Sequence, residues 1–218
     1  MTKNPGLFLL LLLLLTGCCR KGSIFPAGYR PRTGDLLFVV AADSGFSQAI
    51  VQATAHHEPI KFSHVAILTV EKDTPYVLEA SSRHDGVALV PWNDFLANAP
   101  VLGGKPGIVV KRVETDFPVN EAISRARAHL GESYDWHFLP DNGMMYCSEL
   151  VYESFRDAGG KPLFTARPMR FRDADGQMPA FWTELFDRLG EPVPEGQPGT
   201  NPNDMAKETI LREIWRFF

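Results

Sequence analysis

The segment Phe62-Ser63-His64-Val65-Ala66-Ile67-Leu68-Thr69-Val70 is apolar on both parities. A strand with one wet face alternates, and an amphipathic helix repeats every 3.6 residues. A run without either period belongs to a central strand covered on two sides. The surrounding pattern supplies neighbours for it. Asp35 to Val40 reads as a buried strand led in by Thr33-Gly34, and Tyr76 to Ala80 returns after a turn at Glu71 to Pro75. Gly86 to Pro91 and Ile108 to Val113 are two further strands. Phe46 to Ala55, capped by Asp43 or Ser44, is helical in pattern, as are Trp92 to Ala97 and Val119 to Leu130. Cys147 to Ala158 has Leu150, Val151 and Phe155 on one face and Gly159-Gly160 as its stop. Asp204 to Trp215 reads as a terminal amphipathic helix with Ile210, Leu211 and Ile214 on one side. Short strands joined by hairpin turns and followed by helices predict an α+β fold. Its antiparallel sheet should be curled, with the cysteine helix packed on it.

The amino terminus carries a different signal. Leu7 to Leu15 form a nearly unbroken leucine run behind Lys3. The run is far shorter than the roughly 20 residues that cross a bilayer, so it reads as the core of a signal peptide. It ends in Leu15-Thr16-Gly17-Cys18, which resembles a bacterial lipobox. That resemblance implies cleavage before Cys18, a diacylglycerol on its sulfur and acylation of its amine. Two or three chains hold a protein firmly on a membrane, whereas one binds marginally. Cys19, Arg20 and Lys21 follow, with no aspartate beside Cys18, a pattern similar to outer-membrane retention. The expected location is the bacterial cell envelope, lipid-anchored at the outer membrane and facing the periplasm. An uncleaved anchor and ordinary secretion are the alternatives. Residues 1–17 are then a leader, 18–33 a tether and 34–218 one domain, long enough for a sizeable core.

The net charge of −4 gives no basic excess of the kind a nucleic-acid partner demands, so none is expected. No glycine-rich phosphate loop appears, and no Cys/His set has zinc-ligand spacing, so neither cofactor nor metal is expected.

With Cys18 and Cys19 at the end of the leader, Cys147 is the only thiol of the folded part. An exported protein that keeps an unpaired thiol commonly uses it. In the first turn of a helix, exposed N–H groups and the macrodipole favour a thiolate. Being a small buried hydrophobe is the plain alternative. His64 sits inside the central apolar strand, where its ring needs partners. Glu79, in Tyr76-Val77-Leu78-Glu79-Ala80, is a carboxylate equally out of place unless paired, and antiparallel neighbours bring the two strands together. A cysteine nucleophile, a histidine to move its proton and a carboxylate to orient that histidine make a recognisable set. His56-His57 reads as a solvated helix end, and His84, His129 and His137 have no partner spacing.

Gly34-Asp35-Leu36, Phe62-Ser63-His64-Val65-Ala66-Ile67, Leu78-Glu79-Ala80, Tyr134-Asp135 and Tyr146-Cys147-Ser148-Glu149-Leu150-Val151 occur in that order. Together they resemble the permuted papain-like amidases of the YiiX/YaeF type, circularly permuted relatives of NlpC-type peptidases. Histidine and glutamate precede the cysteine here, whereas papain-like enzymes usually read cysteine first. The resemblance implies Cys147 as nucleophile, His64 as base and Glu79 as orienting acid. Asn201-Pro202-Asn203-Asp204-Met205 is loosely similar to a C-terminal Pro-x-Asp element of that family.

The expected activity is hydrolysis of amide bonds in the envelope, with a peptide or peptidoglycan-fragment substrate such as a stem peptide. A thiol acyltransferase or lipid hydrolase of the same fold is one alternative, with Phe46, Trp92 and Phe95 lining an apolar cleft. A non-catalytic lipoprotein that binds peptides or amino acids is another. Tyr134, Asp135 and Tyr146 are substrate-binding candidates: a tyrosine hydroxyl to place a carbonyl or complete an oxyanion site, and Asp135 to hold a substrate amine. Packing for Tyr134 and turn capping for Asp135 are the alternatives.

Overall fold

The computed structural model describes residues 25–55 and 57–218. The leader, Cys18, the first part of the tether and His56 lie outside the described residues. In chain order the elements are β1 (Leu36–Val40), α1 (Gly45–Thr54), β2 (Phe62–Glu71), β3 (Thr74–Ser81), β4 (Gly86–Pro91) and α2 (Trp92–Asn98). A small pair, β5 (Val101–Leu102) and β6 (Lys105–Pro106), leads to β7 (Ile108–Val113), α3 (Val119–Ala128) and α4 (Cys147–Ser154). The chain finishes with β8 (Arg167–Pro168), α5 (Ala180–Leu189), β9 (Pro198–Gly199), α6 (Pro202–Ala206) and β10 (Leu211–Arg216).

The doubly apolar run is indeed an inner strand. The main sheet is antiparallel in the order β10-β7-β1-β2-β3-β4, with β1 and β2 at its centre. The β2–β3 hairpin turns at Lys72 and Asp73, both at positive φ, in the sense that suits the strand twist. One face of the sheet buries Leu36, Phe38, Val65, Ile67 and Leu78 against α3, α4 and α6. The other buries Leu37, Val39, Ala66, Leu68 and Val77 against Trp92 and Phe95 of α2, Tyr29 and Phe217. Parity alternates along β1 and β2, so both faces are dry, as the sequence requires. An aromatic cluster beside α4 joins Tyr134, Phe138, Tyr146 and Phe171 to Trp182 and Phe186 of α5. No helix among the described residues is long and apolar enough to cross a membrane.

Two expectations are corrected. The cysteine helix stops at Ser154, not near Ala158, and Gly159-Gly160 belongs to a later turn. Phe155 is extended and fully buried, stacked on Phe117 at 5.2 Å, so its burial draws the chain out of the helix. Asp157 then builds the turn by accepting from the N–H groups of Gly159 and Lys161. The terminal helix expected over Asp204 to Trp215 is instead the short α6 followed by the edge strand β10. Pairing of Leu211–Arg216 with β7 satisfies an edge that a helix would leave open, and the bulge between Glu213 and Trp215 absorbs the helical spacing. Helix α5 was readable but not anticipated: Phe181, Trp182, Leu185, Phe186 and Leu189 share one side, and Gly190 ends it at φ 69°.

Candidate active site

Cys147 is the first residue of α4 and is buried. The approach to it is fixed by backbone pairing. Tyr134 bridges to Met145, and Ser133 bridges to Gly86 at the start of β4. A Cβ on Gly86 would lie 2.0 Å from the Glu132 carbonyl, so only glycine permits this close approach. The first turn of α4 is braced by Glu149, whose carboxyl accepts from the Tyr146 N–H at 3.3 Å. Burial, together with the nearby Asp135, Glu153 and Asp141 carboxyls, outweighs that bond and carries the Glu149 pKa up to about 8. The backbone N–H groups of the first turn have no intrahelical carbonyl to bond, as at any helix start.

His64 lies on β2 next to a bulge. Val39 pairs with His64 and Val40 with Phe62, which leaves Ser63 as the extra residue, and a bulge re-aims the neighbouring side chain. His64 Nε2 meets Glu79 Oε2 at 2.6 Å, which leaves Nδ1 for Cys147. Burial alone pushes the His64 pKa down. Hydrogen bonds and opposite charge from Cys147 and Glu79 outweigh it and bring the value up to about 10. Glu79 is buried, which by itself raises its pKa, but the two histidines beside it hold it below the usual carboxylate range. The second is His84, whose Nε2 lies 3.2 Å from Glu79 Oε1. No spacing along the chain points to a partner for His84. The β3–β4 turn folds it back onto the strand that carries Glu79, a contact set by register alone. His129 and His137 pair with Glu132 and Glu191 away from this set.

Tyr134 is buried, and burial followed by negative charge at Cys147 and Asp135 holds its phenol well above the ordinary value, so the hydroxyl stays a donor. The Tyr146 hydroxyl accepts from the Thr200 N–H at 3.1 Å, tying the nucleophile turn to the segment before α6. Asp135 is fully buried and accepts from the N–H groups of His137 at 2.8 Å and Leu139 at 3.0 Å. Its carboxylate faces its own loop and lines neither cavity at the site, so the expected contact with a substrate amine gives way to loop anchoring. Asn203 was not singled out as a site residue. It pins the start of β2 by accepting from the Phe62 N–H and donating to the Phe62 carbonyl and Thr54 hydroxyl.

Two cavities open beside the set. A groove of about 340 Å³ is lined by His64, Glu79, Tyr134, Phe46 and Phe95, with hydroxyls such as Ser47 and Ser63. A pocket of about 40 Å³ is lined by Cys147, Ser148, Tyr134, Tyr146, Phe171 and Trp182. Trp92, expected in an apolar cleft, opens α2 and is buried in the core against the sheet.

Residues 30–215 match the family described as "Permuted papain-like amidase enzyme, YaeF/YiiX, C92 family". The chain belongs to this permuted papain-like amidase family. It is 28% identical over 196 residues to uncharacterized protein YiiX of Escherichia coli strain K12, covering 87% of this chain and 90% of that protein. It also resembles the crystal structure of a protein described as metalloprotein yiiX from Escherichia coli O157:H7. That likeness has a TM-score of 0.69 and 26% identity, and covers 86% of this chain and 98% of the other. Family membership accounts for the order of the site segments, with histidine and glutamate strands ahead of the cysteine helix.

Proposed function

We propose that the protein is a lipid-anchored cysteine amidase of the bacterial envelope that hydrolyses amide bonds through Cys147, His64 and Glu79. Family membership supports cysteine amidase chemistry, and one observation carries the residue assignment: His64 is held between Glu79 and Cys147 with its pKa brought up to about 10. Near neutral pH the ring is therefore protonated and stands beside the sulfur it serves. The Cys147 sulfur attacks the amide carbon, and the carbonyl oxygen takes the negative charge, held by N–H groups at the start of α4. His64 gives its proton to the nitrogen, the carbon–nitrogen bond breaks and the amine leaves. A water then passes a proton to His64 and adds to the thioester, which releases the acid and restores the thiolate. Glu79 holds the ring orientation and its positive form.

The leader ending at Cys18 supports the envelope location, which makes peptidoglycan stem peptides the available amides. Among the described residues no group of three or more His, Cys, Asp or Glu is arranged to hold a metal, and no step is assigned to one. Purified peptidoglycan incubated with wild type and with Cys147→Ser tests the proposal. Release of peptide fragments by wild type, reduced by orders of magnitude in the variant, is expected. Equal release by both contradicts it.

A further inference from the structure

The two cavities lie on different sides of the reacting pair. His64 lines the 340 Å³ groove and not the small pocket, whereas Cys147 lines the 40 Å³ pocket and not the groove. Ile50 and Tyr134 line both and form the divide between them. This separation has a chemical meaning. The departing amine must sit beside the group that protonates it, and the acyl group stays on the sulfur and must fit on the sulfur's side.

We propose that the site reads its substrate in one direction: a compact acyl group of glycyl or alanyl size enters the pocket beside Cys147, and a larger polar amine component occupies the groove beside His64. The assignment rests on the amidase role of these two residues. Size sets the first half. One water-sized group needs about 10–15 Å³, so the pocket accommodates about three. That matches a short side chain and excludes a long acyl chain. Polarity sharpens it. Ser148 Oγ and Trp182 Nε1 belong to buried residues lining the pocket, and neither has a hydrogen-bond partner. Native structures leave few such atoms without partners, and both of these can donate. Thr54, Tyr134, Thr200 and Asn201 also line the pocket, yet none of them meets either donor. An oxygen on the acyl component supplies the acceptor that these two atoms lack. The groove is more mixed: beside apolar Phe46, Phe95, Val39 and Val40, the serines Ser44, Ser47, Ser63 and Ser81 offer hydroxyls, and exposed Arg83 stands at its rim, suited to an amine component that carries polar groups and a carboxylate. The substrate class is thus an amide between a small acyl unit and a bulky hydrophilic amine, and not an amide or ester of a long-chain acid.

Active-site labelling tests this directly. Glycyl, alanyl, leucyl and phenylalanyl chloromethyl ketones and 1-chlorododecan-2-one each place a carbonyl at the reacting position. The Cys147 sulfur forms a bond to the methylene, chloride leaves, and the thiol proton passes to solvent. Rates of adduct formation are read by intact-protein mass. The glycyl and alanyl reagents are expected to react at least ~10-fold faster than the phenylalanyl and dodecanone reagents, the selectivity a tight apolar pocket gives per added methylene or more. Ala53→Leu should slow the alanyl reagent, and Phe171→Ala should admit the leucyl one. Equal or faster labelling by dodecanone or the phenylalanyl reagent overturns the size assignment. His64→Ala separates the two levels. Rates that fall with His64→Ala but show no size ranking overturn the directional assignment alone. A size ranking with rates indifferent to His64→Ala overturns the amidase role on which it rests.

Discussion

His64 owes its chemistry to partners and not to its own environment, since burial works against its charge. Its folded pKa lies above the ordinary histidine value of 6.5. Its contribution to stability is therefore complete below about 6.5 and is lost as pH rises through about 10. Turnover should follow the same group and decline on the alkaline side near pH 10 as the imidazolium loses its proton. Glu79→Gln removes one of the two partners that raise the ring, so a pH–rate profile of that variant should show the alkaline limb displaced downward. An unmoved limb would mean that Glu79 does not support the charge. Glu149 carries the same sign for a different reason, because its pKa is raised chiefly by burial and not by a charged partner. Its carboxyl is held up at about 8, above an unfolded value of 4.5, so its contribution to stability is full below about 4.5 and is lost as pH rises through about 8. Glu149→Gln keeps an acceptor for the Tyr146 N–H without that loss. Urea unfolding should show the variant gaining on wild type between about pH 4.5 and pH 8; a constant difference across that range would contradict the assignment. Cys147, His64 and Glu79 were each legible because each is a misfit in its segment. His84 and Asn203 were not, because neither is out of place locally and their contacts depend on register and on a return of the chain from far away.

At the scale of elements, the site depends on two fastenings distant from it. Asn203 ties the first residue of β2 to the end of α1 through Phe62 and Thr54, one residue before the Ser63 bulge. Asn203→Ala leaves the Phe62 backbone groups without those partners, at a cost of about 1–3 kcal/mol for each buried group left unsatisfied. The variant should unfold earlier in urea and should lose turnover beyond the loss in stability, because the strand end that aims His64 is freed. Unchanged stability would contradict the fastening. The second is Asp35, fully buried at the start of β1, which accepts from Arg112 Nε at 2.5 Å and Arg112 Nη2 at 2.8 Å, from the Tyr29 hydroxyl and from the Arg32 N–H. Arg112→Ala leaves that carboxylate buried without its cation and should destabilise by about 3–5 kcal/mol in denaturant titration. A loss below 1 kcal/mol would mean that the pair is solvated. Strands β1 to β4 and β7 were readable from apolar runs and turn chemistry. Strand β10 was not: Ile210, Leu211 and Ile214 fit a helical face locally, and the need of β7 for an edge partner overrides that spacing.

Across the whole molecule, the permuted order is a way of assembling one site from three layers. The sheet carries His64 and Glu79 on neighbouring antiparallel strands, the helical layer carries Cys147, and the aromatic cluster around α5 walls the pocket beside it. Each layer is rigid for its own packing reasons, which is what a preorganised site requires. The central claim is that His64 activates Cys147. The most direct measurement is the rate of Cys147 carboxamidomethylation by iodoacetamide between pH 5 and pH 11, read by intact-protein mass for wild type and for His64→Ala. If His64 takes up the proton of the sulfur, wild type should react at least ~10-fold faster than the variant around pH 6–7, and the two should converge at high pH where any thiol is ionised. Superimposable profiles across the whole range would contradict the account.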